Sequence, residues 1–143
     1  MSRNPVPRPT DAELSILRVL WESGPSTVRH VHEVLSRGRP VAYTTALKLM
    51  QIMTDKGLVS RDERDRSHVY HAKLSEEQTQ RQLVRDLLDR AFGGSASKLV
   101  MQALAARRAS AEELIEIRRL IDGNGEDDRQ TRREAPGGHD ERD

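Results

Sequence analysis

The hydrophobic period of this chain falls from 3.6 to two at Gly57, and that change limits the folds open to it. Up to Gly57 the apolar residues recur at helical spacing in three successive segments. Helix 1 starts at Thr10-Asp-Ala-Glu13, which has the form of a capping box. Leu14, Leu17, Leu20 and Trp21 follow, and Gly24-Pro25 stops the helix near Ser23. Ser26 or Thr27 can cap helix 2, whose stripe is Val28, Val31, Val34 and Leu35, and Arg37-Gly38 ends it. Helix 3 covers roughly 42–56, with Ala46, Leu49, Met50 and Met53 on one face and Thr44, Lys48, Gln51 and Asp55 on another. Gly57 is expected as its left-handed cap. Beyond it the period falls to two over 58–62 and 67–72, around the fully charged Glu63-Arg-Asp-Arg66. Two short strands with a charged tip predict a β-hairpin.

Three further helices are expected. Ser75-Glu-Glu-Gln78 and Ser110-Ala-Glu-Glu113 are two more capping boxes. Helix 4 carries Leu83, Val84, Leu87, Leu88, Ala91 and Phe92, and Gly93-Gly94 breaks it. Helix 5 spans about 96–107 with Leu99, Val100 and Leu104 on one side. Helix 6 carries Leu114, Ile117, Leu120 and Ile121 and is expected to end at Gly123. Residues 1–9, with Pro5, Pro7 and Pro9, are expected to be an extended arm. Residues 124–143 hold one hydrophobic residue, Ala135, too little to offset the entropy of ordering, so a disordered acidic tail is predicted.

The predicted fold is mainly α with a small β-hairpin. It is a winged helix-turn-helix over 10–74, followed by a three-helix dimerisation region over 75–123. The physics of this order suits duplex DNA: a helix fits the major groove, and a basic hairpin tip reaches the adjacent backbone. Charge agrees in direction. Residues 1–74 hold 12 Lys and Arg against 8 Asp and Glu, 75–123 hold 8 of each, and 124–143 hold 4 against 7. Net charge, at +1, hides that gradient. A solvated helix face and a charged strand edge guarding against aggregation would show the same stripes singly. It is their combined order, in the basic half, that favours DNA.

Several chemistries are excluded or unsupported. There are no cysteines, hence no disulfides, thiolate zinc site or thiol nucleophile. His30 and His32 lie two apart on a helix, and His68 and His71 three apart on a predicted strand, so neither pair faces one ion. No glycine-rich phosphate loop occurs. Glu76-Glu77 and Glu112-Glu113 sit at helix starts, where the macrodipole favours anions without any catalysis. The chain is therefore expected to be a non-enzyme with neither cofactor nor metal. With a mean hydropathy of −0.75, no apolar run approaches the roughly 18–20 residues that span a bilayer. No membrane insertion, no secretory signal and a cytoplasmic location are expected.

The stretch Ala42-Tyr-Thr-Thr-Ala-Leu-Lys-Leu-Met-Gln-Ile-Met-Thr-Asp-Lys-Gly-Leu-Val59 resembles the recognition-helix region of the penicillinase-repressor family, the BlaI, MecI and CopY group. The start at 14–35, the wing at 65–75 and Glu112-Glu-Leu-Ile-Glu-Ile-Arg-Arg-Leu-Ile121 fit in the same register, so the resemblance covers about 8–122. It implies a homodimeric repressor that binds a double-stranded operator and controls β-lactam-resistance or copper-transport genes. It also implies a membrane-bound sensor peptidase as partner. Tyr43, Thr44, Thr45 and Lys48 fall where the family's recognition helix faces DNA, and Arg66 falls at its wing arginine. With Gln51 from the polar stripe and Arg64 from the wing tip, these form the expected DNA-binding set.

The dimer contacts are expected from Leu87, Leu88, Phe92, Leu99, Val100, Leu104, Leu114, Ile117 and Ile121. A two-fold dimer reads two half-sites, so a pseudo-palindromic operator is expected. The chain also departs from the family. Lys48 replaces a frequent Thr, Ile52 a frequent Arg, and Asp65 the usual Gly before the wing arginine. Gln102-Ala103 stands where β-lactam-responsive members have the cleaved Asn-Phe bond. Lacking cysteine, the chain has no counterpart of the copper-binding motif. Two other functions fit the same elements: a winged helix that docks a protein instead of DNA, and a regulator with a small-molecule pocket between helices 1 and 4. Steep loss of DNA affinity with salt separates the first alternative from a DNA reader.

Overall fold

The computed structural model describes residues 6–64 and 66–134, with side-chain environments up to Gly123. The order of elements is α1 (Asp11–Ser23), β1 (Ser26–Thr27), α2 (Val28–Gly38), α3 (Tyr43–Lys56), β2 (Val59–Asp62), β3 (Val69–Ala72), α4 (Glu76–Ala91), α5 (Ala96–Ala106) and α6 (Ala111–Glu134). They fall into two compact units, divided between Gly94 and Ser95.

In the first unit the local signals act as their chemistry dictates. Thr10 and Glu13 form both halves of a capping box, with Thr10 N–H donating to Glu13 Oε1 at 2.9 Å and Glu13 N–H to Thr10 Oγ1 at 3.2 Å. Thr27 caps α2 by accepting from His30 N–H at 3.2 Å. Gly57 closes α3 at φ 82°, ψ 18°, a left-handed conformation that a side chain would strain. It turns the chain directly into β2, and Leu58 N–H returns to the Met53 carbonyl at 2.9 Å.

The hairpin acquires a third strand. The sheet order is β1-β3-β2, all antiparallel, with Ser26 opposite Tyr70, Thr27 opposite Val69, and Arg61 opposite Tyr70 on the other side. Ser26-Thr27 therefore serves twice, as helix cap and as edge strand. Periodicity cannot detect a two-residue strand, because two residues define no period.

The core joins α1, α2, α3 and the sheet. Ile16, Leu17, Leu20, Val31, Ala46, Met50, Met53, Leu58, Val59 and Tyr70 are all buried. Each large aliphatic member contributes about 1.5–3 kcal/mol of burial. Trp21 Nε1 donates to the Leu74 carbonyl at 3.1 Å and so ties the end of the hairpin to α1.

α4 falls in the first unit, although its apolar pattern groups it with the helices that follow. Its Thr79 is buried, Gln82 Nε2 donates to the Val6 carbonyl at 2.5 Å, and Asp86 pairs with Arg8. The proline-rich arm, as far as described, is thus docked along α4, with Pro9 buried.

The second unit is different in kind. No side chain of α5 is buried, and Val100, Met101 and Leu104 are exposed, as are Leu114, Ile115, Leu120 and Ile121 of α6. α6 also runs past Gly123 to Glu134, into the segment expected to be disordered. A single glycine costs a helix about 1 kcal/mol relative to alanine, but it does not bar helical dihedrals. No proline follows until Pro136. Residues 135–143 of the expected tail lie outside the described residues.

Candidate nucleic-acid interface

α3 is held by the core along one face and open along the other. Ala46, Met50 and Met53 are fully buried, so Thr44, Thr45, Lys48 and Gln51 face outward, and all four are exposed. Tyr43, the first residue of α3, is 46% exposed. Its ring meets His32 of α2 edge-on, with centroids 5.6 Å apart. His32 Nε2 lies 2.7 Å from the Val41 carbonyl, which fixes Nε2 as the protonated nitrogen in that bond. One imidazole therefore holds the turn before α3 and buttresses its first residue. Sequence spacing excluded His32 from metal binding but did not reveal this positioning role. The signal that could have found it is its short separation from Val41 across a Gly-Arg-Pro turn.

The two wing arginines singled out from sequence occupy different settings. Arg66 lines a cleft of about 350 Å³ together with Tyr43, Arg29, Thr27, Ser67 and His68. The start of α2, the start of α3 and the base of the wing therefore converge there. Arg64 projects from the tip, with its side chain 90% exposed and Nε 3.7 Å from Asp62 Oδ1. Arg61, also in the wing, donates from Nη2 to Glu63. Its guanidinium is held even more firmly charged than usual by hydrogen bonds to Tyr70 and Glu63.

Arg29, Ser67 and His68 were missing from the sequence-derived set. Arg29 could have been found from the sequence. It is a cation in the first turn of a helix, where the macrodipole disfavours it, and a placement against the dipole points to a use outside the helix. Its intrahelical pair with Glu33 is long, at 3.7 Å, and highly exposed. Such a pair contributes little to stability.

The expected dimer residues are divided between the units. Leu87 is exposed while Leu88 and Phe92 are half-buried in and just after α4. In the second unit Val100, Leu104, Leu114 and Ile121 are exposed, with Leu99 and Ile117 half-buried. Gln102 and Ala103 lie exposed within α5. Between the arm, α1 and α4 there is a groove of about 520 Å³, bordered by Leu14, Leu83 and Leu87. Among the described residues no group of three His, Asp or Glu side chains could hold a metal ion. Among them, too, no helix is long and apolar enough to cross a membrane.

Comparison with known proteins gives a consistent picture. The sequence signature of the penicillinase repressor family matches residues 9–123. A relative named transcriptional regulator BlaI, from Mycobacterium tuberculosis, is 33% identical over 112 residues, covering 78% of this chain and 80% of that protein. The penicillinase repressor of Bacillus licheniformis is 22% identical over 117 residues, covering 82% and 91%. Among solved structures, a MarR family protein from Bacillus stearothermophilus aligns with a TM-score of 0.45 and 18% identity, over 83% of this chain and 74% of that one.

Proposed function

The chain belongs to the penicillinase-repressor family, whose members are transcriptional regulators and not enzymes, and from that premise we propose that it is a homodimeric repressor reading a pseudo-palindromic operator. The observation that carries the proposal is the placement of Tyr43 and Arg66 on one cleft, beside the outward face of α3. A duplex laid on that face meets both kinds of contact that sequence-specific binding needs. Thr44, Thr45, Lys48 and Gln51 supply donors and acceptors for base edges in the major groove. Arg66 and Arg29 supply charge for the backbone. The phosphate contacts set position and the α3 contacts set preference.

The homodimer is supported by the exposed apolar side chains of α5 and α6. Among the described residues neither helix has a buried side chain, which makes no core, and a second copy presenting the same side chains covers them by two-fold symmetry. Half-sites then lie one or two helical turns apart, about 34–36 Å per turn. The regulated genes belong to β-lactam resistance or a related stress response. Repression ends through a membrane-bound sensor peptidase, and the repressor acts in the cytoplasm, where its DNA lies.

The test is selection of binding sites from a randomised duplex library by the full-length protein. The expected result is an enriched site with dyad symmetry, bound with an affinity that falls steeply with salt. Absence of enrichment, with binding insensitive to salt, overturns the proposal and favours a protein-docking winged helix.

A further inference from the structure

The wing carries its own counter-charges. Residues 61–66 read Arg-Asp-Glu-Arg-Asp-Arg, three cations against three anions, so the segment that reaches toward a duplex has no net charge. The geometry shows one of these cations engaged and a second close to a carboxylate of the same segment. Arg61 donates from Nη2 to Glu63 Oε1. Asp62 Oδ1 accepts the Arg64 backbone N–H at 3.0 Å and lies 3.7 Å from Arg64 Nε. Asp62 ends β2 opposite Val69, where β3 begins, so these pairs sit where the hairpin opens into its tip.

From this arrangement we propose that Asp62 and Glu63 compete with DNA phosphates for Arg61 and Arg64 and so weaken the wing's grip on every duplex. The inference rests on the DNA-binding function proposed above and names residues that act against it. A guanidinium that reaches a phosphate from this wing must leave a carboxylate on a neighbouring residue. That carboxylate stays beside the DNA and repels it. Because the partners are two residues apart, at the end of β2 and the start of the tip, their pairing costs little chain entropy. Phosphate contacts supply essentially all non-specific affinity. Holding them weak makes stable occupancy depend on base contacts by α3 and on both half-sites of the operator.

The test uses variants that remove charge and keep the hydrogen-bond acceptors. Asp62→Asn retains an Oδ1 for the Arg64 N–H, and Glu63→Gln retains an Oε1 for Arg61. The full-length double variant and the unaltered protein are titrated with the selected operator and with a random duplex across a salt series. The expected result is tighter binding to both duplexes by the same factor, roughly three- to tenfold near 0.1 M salt. The log–log salt slope steepens by about 0.9 for each phosphate taken up. The ratio of the two affinities stays constant, because phosphates carry no sequence information.

Unchanged affinities and slope, or weaker binding, overturn the inference while leaving the DNA-binding function intact. A changed ratio also overturns it, since the carboxylates would then be accepting from bases. If the unaltered protein binds neither duplex at any salt, both the inference and the underlying function fail. Glu63→Gln alone leaves the Asp62 turn in place and is expected to give a smaller effect in the same direction, so an altered turn cannot be mistaken for the result.

Discussion

Lys56 Nζ donates to both carboxylate oxygens of Glu13, at 3.1 and 3.0 Å, and thereby joins the last turn of α3 to the first turn of α1. Glu13 is 1% exposed and is also the N3 residue of the α1 capping box. One side chain thus satisfies an orphan backbone donor, anchors a cation and helps fix how α3 sits on α1. Burial pushes the Glu13 carboxyl up. The Thr10 backbone N–H, Lys56 and the Thr10 hydroxyl together outweigh that push and hold the group below its ordinary 4.5.

This relation makes stability depend on acid. Because the folded value lies below the unfolded one, the Glu13 contribution is complete above about pH 4.5 and disappears as pH falls through the folded value. Lys56→Met removes a partner that lowers the carboxyl while burial continues to raise it. We expect a loss of about 1–3 kcal/mol at pH 7, since Lys56 is itself partly solvated. The acid transition should move to higher pH. Urea titrations at several pH values check this; an unchanged acid midpoint refutes it.

Lys48 sits in the second turn of α3, on its outward face. If it meets a base edge, Lys48→Ala costs about 1–3 kcal/mol on the selected operator and much less on random duplex. Equal losses on both DNAs would reassign Lys48 to the backbone. Paired binding titrations decide between them.

Arg66→Ala is expected to weaken binding to all sequences alike. The log–log salt slope should flatten by about 0.9 for one lost phosphate contact. A slope that does not move would place the base of the wing outside the interface. Arg29→Ala, on the same cleft, should behave in the same way.

Chain truncation after Gly94 keeps the first compact unit and removes α5 and α6. The shortened protein should fold, sediment as a monomer and hold a single half-site about as well as before. Its affinity for the full operator should drop sharply, because the linkage of two readers is gone. Full-length protein sedimenting as a monomer at micromolar concentration would refute the homodimer.

Cleavage within α5 would have the same effect as that truncation. Gln102-Ala103 offers a peptidase a small side chain where the family resemblance implies an aromatic. A pocket shaped for a ring would lose about 25 cal/mol for each Å² left unfilled. We therefore expect the sensor peptidase to have a different specificity, or release to follow another signal with the chain intact. Mass spectrometry of the repressor after exposure checks this, and a fragment ending at Gln102 would show the site in use.

The sequence by itself determined what depends on near neighbours along the chain. Thr10 with Glu13, Ser75 with Gln78 and Ser110 with Glu113 form their reciprocal caps, because each pair is separated by three residues on its own helix. Gly57 closes α3 for an equally local reason, and the alternation of Ala46, Met50 and Met53 with Thr44, Lys48 and Gln51 already sorted core face from outward face. The tertiary structure decided what depends on distant partners. Ser26-Thr27 becomes a strand only because β3 lies beside it. Glu13 gains a cation partner in its buried site only because Lys56 arrives from 43 residues away. Arg66 joins Tyr43 on one cleft while Arg64, two positions earlier, points elsewhere. Hydrogen-bonded caps and turns reach three or four residues along the chain, whereas the position of a wing arginine against a helix is set by how the hairpin packs on the shared core, a relation that no local pattern encodes.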